Sequence, residues 1–394
     1  MDAAILESLK PWKGRRVVVA MSGGVDSALS AALLHRAGAK VIGIHMRTWH
    51  YKGCEDNSGL ATCCSPADAR DARRVAQQFG FPFYAMDFQV NFRKTVIDPF
   101  IADYLNGRTP NPCVNCNNQV KLGSLLAKGR AYGAEVVATG HYGRLRRNDQ
   151  GRVELVTSAD PGKDQTYYLF GLTQFQLERM LMPLGELTKA RVRELAHELG
   201  LHVADKPDSY EICFVTDNNY RRFIREEAGI DEATLTGAIV NTRGEVLGRH
   251  GGIHQYTIGQ RKGLGLSAPR PLYVVELVPE THTVIVGYEE DILAPGLEME
   301  RINWVGLAAQ GAPFRARVKV RHRSRAYPAT VSPDPEDPLR AHVRFDDPVK
   351  AVTPGQAAVV YDDPSGTRVL AGGWIVRRLS ESSALEADRV AGAI

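Results

Sequence analysis

Three groups of residues in this 394-residue chain have types and spacings that could do chemistry. The first is Ser22-Gly23-Gly24-Val25-Asp26-Ser27. It follows an apolar, β-branched run at 16–21 that reads as a buried strand, and it precedes 28–37, which reads as a helix closed by Gly38. Two glycines let a ligand approach the backbone closely, and successive N–H groups at a helix N-terminus face an anion. Ser22 and Ser27 add hydroxyls. The loop lacks the lysine of a GxxxxGK[ST] motif, and it is not the GxGxxG of a dinucleotide site. A serine-capped tight turn is the plainer reading, but the strand-loop-helix setting favours a phosphate site.

The second group is cysteine. Of Cys54, Cys63, Cys64, Cys113, Cys116 and Cys213, the first three take no role and read as part of a mobile, partly exposed loop. Cys113 and Cys116 stand in Asn111-Pro112-Cys113-Val114-Asn115-Cys116-Asn117, after Gly107-Arg108-Thr109-Pro110. The two prolines predict an ordered non-helical loop, with a helix from Gln119 onward. A cysteine just before a helix N-terminus has its thiolate stabilised by the helix dipole. Cys213, in Asp208-Ser209-Tyr210-Glu211-Ile212-Cys213-Phe214, reads on its own as a small buried hydrophobe. Cys113, Cys116 and Cys213 could also supply three thiolates to a [4Fe-4S] cluster with one iron left open. A closed zinc site needs four ligands and no second CxxC exists; a redox CxxC lacks its thioredoxin-like context.

The third group is basic. In Arg315-Ala316-Arg317-Val318-Lys319-Val320-Arg321-His322-Arg323-Ser324-Arg325 every odd position is a cation. On one strand this predicts six cations on one face, a surface suited to RNA phosphates. Arg144, Arg146 and Arg147 make a smaller cluster. The overall balance, 49 Lys+Arg against 45 Asp+Glu, is too even to argue for nucleic acid by itself.

These residues need elements to position them. Strands at 41–46, 81–88 and 135–139 and helices at 68–79 and 191–199 alternate, the helices ending at Gly80 and Gly200. Such alternation predicts an α/β fold with a Rossmann-like parallel sheet covered by helices on both faces. Beyond Lys206-Pro207 the chain turns to short strands and turns at 236–286, and to a strand-rich stretch at 297–378 interrupted by Pro and Gly. The expected organisation is a nucleotide domain at 1–208, a small central β-rich domain at 209–295, a C-terminal β-barrel at 296–380 that contacts RNA, and a fraying tail at 381–394. No apolar run approaches the ~20 residues that span a bilayer, and the N-terminus lacks a signal pattern, so a cytoplasmic location is expected.

SGGVDS resembles the signature of the PP-loop ATP pyrophosphatases, which use ATP to adenylate a carbonyl oxygen and release pyrophosphate. GRTPNPCVNCN and DSYEICF are similar to the two cysteine motifs of the tRNA-specific 2-thiouridylases within that superfamily. The resemblance continues through Ala138-Thr139-Gly140-His141-Tyr142, Lys163-Asp164-Gln165-Thr166-Tyr167-Tyr168 and the stretch 254–265. It implies a sulfurtransferase that makes 2-thiouridine at the tRNA wobble position, converting ATP to AMP and pyrophosphate with Mg²⁺. Cys116 would be the nucleophile and Cys213 the persulfide carrier, closing a disulfide in turnover. ATP contacts would fall on Ala20, Met21, Ser22, Gly23, Gly24, Val25, Asp26, Ser27, Met46 and Gly140. Contacts to tRNA would fall on Asn111, Pro112, Cys113, His141, Lys163, Asp164, Gln165, Arg321, His322 and Gln356. Cys113 departs from members that carry Asp there, which keeps a cluster-borne sulfur as an alternative. Implied partners are the tRNAs for Lys, Glu and Gln and a desulfurase or sulfur-relay protein, with the enzyme a monomer. A PP-loop synthetase acting on a small molecule explains the glycine loop but neither the cysteines nor the basic run. A tRNA-binding protein with a vestigial ATP site is a further rival, and the intact glycine loop speaks against it.

Overall fold

The computed structural model describes residues 3–49, 66–208, 212–215, 217–231 and 235–380. The chain divides into two compact units, 1–97 with 112–218, and 98–111 with 219–394.

The first unit is built on a five-stranded sheet in which every neighbouring pair is parallel. Its spatial order is Phe83–Asp87, Lys40–Arg47, Arg16–Ala20, Val136–Ala138 and Met180–Leu181. Alternate residues of the central strand serve opposite faces, as the pleat requires. Val17 and Val19 enter a core with Leu29, Leu33, Val75, Val192 and Leu195 from the helices Val25–Arg36, Pro66–Phe79 and Lys189–Glu198. Val18 faces the other way, against Gly129 in the helix Leu125–Ala131, where an added Cβ would lie 3.2 Å from its Cγ2. Helices therefore cover both faces, as the alternation predicts.

Two boundaries differ from expectation, and both bear on the site. The helix after the glycine loop begins at Val25, not at 28, so Val25-Asp26-Ser27 form its opening turn and the glycine loop proper is only Ser22–Gly24. The cysteine segment is helical from Pro112, not from Gln119: an α-turn Pro112–Asn115 passes into a π-helical stretch Cys116–Ser124. Pro112 does not break this helix because a first-turn N–H has no intrahelical partner to lose. Cys113 and Cys116 thus lie inside the helix, not ahead of it.

In the second unit, strands Tyr273–Val278, Thr283–Gly287, Gly237–Asn241 and Val246–His250 form one sheet around Ile239, Val274, Val284 and Val286. Six further strands run antiparallel in the order Leu293–Trp304, Arg340–Lys350, Tyr327–Pro333, Phe314–Lys319, Ala357–Tyr361 and Arg368–Leu379. Pairing of the first with the last closes them into a barrel, which removes exposed sheet edges. Ala316, Val318, Ala329, Val331, Ala341 and Val343 alternate inward to fill it. No helix among the described residues is long and apolar enough to cross a membrane.

Candidate functional site

The glycine loop leaves the end of the strand Arg16–Ala20 and enters the helix Val25–Arg36 through Gly24, which provides no side-chain cap. Ser27 Oγ accepts from Ser22 N at 3.1 Å and donates to the Gly24 carbonyl at 3.1 Å, which ties the loop's two ends together. Gly23 has φ +86°, and a Cβ there would lie 2.4 Å from the Asp68 carbonyl oxygen, so only glycine fits. Gly140 crosses against the same helix start: a Cβ on it would lie 2.7 Å from Ser27 N. Ala20 pairs with Ile44 on the adjacent strand, which puts Met46 two residues beyond, at that strand's C-terminal end. The residues expected to meet ATP therefore gather at the carboxyl ends of neighbouring strands, where open α/β sheets bind ligands.

Sequence reasoning missed the cations around this loop. Lys189 Nζ donates to both carboxylate oxygens of Asp26, at 2.7 and 2.8 Å, and pairs with Asp208 at 2.8 Å. Tyr142 Oη donates to Asp26 at 2.7 Å. Burial next to the Asp26 carboxylate pushes the Tyr142 phenol well above its ordinary range. Asp208 also takes Lys163 at 2.8 Å and Arg193 at 3.4 Å. Burial would raise its pKa, but the bonds from Lys163 and Lys189 outweigh it and hold the carboxyl below its usual value. Lys206 reaches the Gly23 carbonyl at 3.0 Å and Asp68 and Asp71 at 2.6 Å each. Its pKa is raised, the partial burial being outweighed by these two carboxylates. The available sequence signal was Lys206-Pro207, directly ahead of the second cysteine motif, which opens on Asp208.

Cys113 is exposed, while Cys116 and Cys213 are half-buried. Phe214, next to Cys213, is buried with its ring 5.8 Å from that of Phe92. Among the described residues no three His, Cys, Asp or Glu side chains come together as metal ligands, so the alternative of a [4Fe-4S] cluster on Cys113, Cys116 and Cys213 gains no support. Cys54, Cys63 and Cys64 lie outside the described residues, as do Ser209, Tyr210 and Glu211.

Residues assigned to tRNA by resemblance are mostly engaged internally. His141 is 8% exposed, with Nδ1 2.8 Å from Thr139 Oγ1; burial, helped by Lys121, holds its pKa well below the normal histidine value. Lys163 is held by Asp208, as above. Asp164 accepts from Ser158 N at 3.0 Å and Thr166 Oγ1 at 2.8 Å, and Gln165 accepts from Tyr142 N at 2.9 Å. Asn111 and Pro112 are buried. Gln356 gives its amide protons to the Thr109 and Pro110 carbonyls, at 3.0 and 3.1 Å. His322 is half-buried.

The expectation of six cations on one strand face is corrected. The strand ends at Lys319, and the chain turns at Arg321–Ser324, closed by Ser324 N to Arg321 O at 3.1 Å. Only Arg315, Arg317 and Lys319 share the strand. Arg315 is paired with Asp346 at 2.6 Å and Arg317 with Asp363 at 3.2 Å, so the barrel itself supplies their counter-charges. Arg321 donates to the Lys350 carbonyl at 3.3 Å; Arg323 is exposed and has no described ion-pair partner.

Three family models match in succession: the tRNA methyl transferase HUP domain at 15–217, the tRNA methyl transferase PRC-barrel domain at 223–288 and the aminomethyltransferase beta-barrel domain at 295–375. The tRNA-specific 2-thiouridylase MnmA of Geobacter metallireducens is 50% identical over 369 residues, covering 93% of this chain and 98% of its own. The chain belongs to the tRNA-specific 2-thiouridylase family. A second member, from Symbiobacterium thermophilum, is 49% identical over 93% of both chains. Among solved structures, the NH3-dependent NAD synthetase of Campylobacter jejuni matches 59% of this chain and 90% of its own at 20% identity, with a TM-score of 0.32.

Proposed function

We propose that this chain is a tRNA-uridine 2-sulfurtransferase that replaces the C2 oxygen of the wobble uridine, in the tRNAs for Lys, Glu and Gln, with sulfur at the expense of ATP. The observation that carries the reading is an uncapped helix N-terminus behind a glycine loop, in the same compact unit as Cys113, Cys116 and Cys213.

A uracil C2 carbonyl is a poor electrophile with a poor leaving group, so its oxygen must be activated first. It attacks the α-phosphorus of ATP and pyrophosphate leaves, giving an adenylated base. Backbone N–H groups of the loop and helix start stabilise charge on the phosphates, and Mg²⁺ enters with the nucleotide as its counter-ion. Ala20–Ser27, Met46 and Gly140 line the nucleotide. Cys213, loaded as a persulfide by a desulfurase or relay protein, attacks C2 with its outer sulfur, and AMP departs with the bonding pair. The Cys116 thiolate then attacks the inner sulfur of Cys213. That breaks the sulfur–sulfur bond, leaves 2-thiouridine and forms a transient Cys116–Cys213 disulfide, which cellular thiol reduces. The tRNA is contacted by Asn111, His141, Lys163, Asp164, Gln165, Arg321, His322 and Gln356. The enzyme acts as a cytoplasmic monomer.

The test is tRNA thiolation with purified protein, ATP, Mg²⁺ and a persulfide-generating desulfurase, followed by nucleoside analysis. The expected product is 2-thiouridine, lost in Cys116→Ala and Cys213→Ala. Normal thiolation by Cys213→Ser would overturn the persulfide route.

A further inference from the structure

The glycine loop contains no lysine, yet a lysine 183 residues away holds it. Lys206 Nζ donates to the Gly23 carbonyl at 3.0 Å while pairing at 2.6 Å with Asp68 and Asp71. Both carboxylates belong to the helix Pro66–Phe79, whose Asp68 carbonyl lies 2.4 Å from where a Gly23 Cβ would sit. The Asp68 side chain is 7% exposed, and His202 meets Asp71 from another side at 3.2 Å. Lys206 is thus fixed at three points, one of them the loop's backbone.

The consequence follows from peptide geometry. In a planar trans peptide the C=O and the following N–H point in opposite directions. Binding the Gly23 oxygen on the Lys206 side therefore aims the Gly24 N–H away from Lys206. That N–H has only a long 3.4 Å bond to Ser22 Oγ, so it is available to a stronger acceptor. A Gly-Gly peptide flips more easily than any other because neither residue carries a Cβ to oppose the new φ and ψ. After a flip the loop would present a carbonyl oxygen where a phosphate oxygen must come, and donation would become repulsion.

We propose that Lys206 is a positioning residue for the nucleotide's phosphates: by holding the Gly23 carbonyl it keeps the Gly23–Gly24 peptide in its donating orientation. Its charge serves behind the loop and not on the ligand. The proposal rests on the reading that this loop takes the phosphates of ATP.

The experiment compares ATP·Mg²⁺ with adenosine, by calorimetry on the full-length protein. Lys206→Met is expected to weaken ATP at least tenfold while adenosine stays within twofold and tRNA affinity is unchanged. Lys206→Arg, which can still donate to the carbonyl, is expected to recover most of the ATP affinity. Should Lys206→Met fold poorly, Asp71→Asn loosens the lysine without removing it, and an ATP-specific loss of about threefold is expected. Unchanged ATP affinity in Lys206→Met, or equal losses for ATP and adenosine, would overturn the proposal. Wild-type protein that binds ATP no better than adenosine would show that the loop is not a phosphate site, and both readings would fall together.

Discussion

Replacing Lys189 by Met removes the charge that joins Asp26 to Asp208 while keeping most of the side chain's bulk. The Lys189 side chain is 11% exposed and that of Asp208 17%, so solvent screens this pair only weakly. Removing one partner of a fully buried ion pair costs roughly 3–5 kcal/mol, and an exposed pair contributes about 0–1 kcal/mol. Here Asp208 keeps Lys163 at 2.8 Å and Arg193 at 3.4 Å, and Asp26, at 31% exposure, keeps the Tyr142 hydroxyl at 2.7 Å. The residual partners put Lys189→Met between those limits, at about 2 kcal/mol, a roughly 30-fold larger unfolded population. Native-state hydrogen exchange at the Arg16–Ala20 amides reads this for the first unit alone, without requiring both units to unfold together. A double-mutant cycle with Asp208→Asn isolates the pair, and a coupling of about 1 kcal/mol is expected. The acid limb supplies a second reading. Asp208 is depressed in the folded protein, so its contribution is complete above the unfolded carboxyl value of about 3.9 and is lost as pH falls through the folded value. Without Lys189 that depression shrinks, and the loss below about pH 4 becomes shallower. A destabilisation below 0.5 kcal/mol with additive single mutants, on the scale of roughly 0.3–0.5 kcal/mol expected for independent sites, would refute the reasoning.

Three other outcomes are expected. His141 stays neutral in the fold while the unfolded chain protonates near pH 6.5, so folding stability falls as pH drops below that value, by up to about 1.4 kcal/mol per unit; His141→Gln should flatten exchange-measured stability of the first unit between pH 6.5 and 5. Gln356→Ala removes a residue of the tRNA-facing surface and frees the Thr109 and Pro110 carbonyls it holds, so it should weaken the tRNA dissociation constant by about threefold, the scale of one lost hydrogen bond; an unchanged constant would contradict this. Arg323→Ala should reduce the salt slope of tRNA binding by about 0.7–0.9, whereas Arg315→Ala, whose charge is already matched by Asp346, should barely change it; filter binding from low to high salt checks both.

Much of the first unit could be read from local pattern. A run such as Val17-Val18-Val19 buries both faces of a strand wherever it sits, and glycine after a helix ends it, so four of the five sheet strands, three of the covering helices and the glycine loop were legible in residue order, while the short fifth strand Met180–Leu181 was not. The cysteine motifs were equally legible as motifs, but their placement was not. Pro112 marks a helix start as readily as a loop, and the π-helical stretch from Cys116 depends on packing that no short window contains. The basic run shows the limit of periodicity. Alternation at 315–325 is perfect for a strand, yet the strand stops at Lys319, where its pairing with Val359 ends and the chain turns.

What the sequence by itself determined, then, is which residues can donate, accept or attack, because that is a property of side-chain type and near neighbours. Which charge answers which was decided only by the tertiary structure. Lys206 and Gly23 lie far apart in the chain, as do Lys189 and Asp26, and each pair meets only because the fold brings the loop at the end of the central strand beside the start of the helix Lys189–Glu198 and the segment that follows it. Electrostatic pairing depends on distance in space and on burial, and neither quantity can be computed from spacing along the chain.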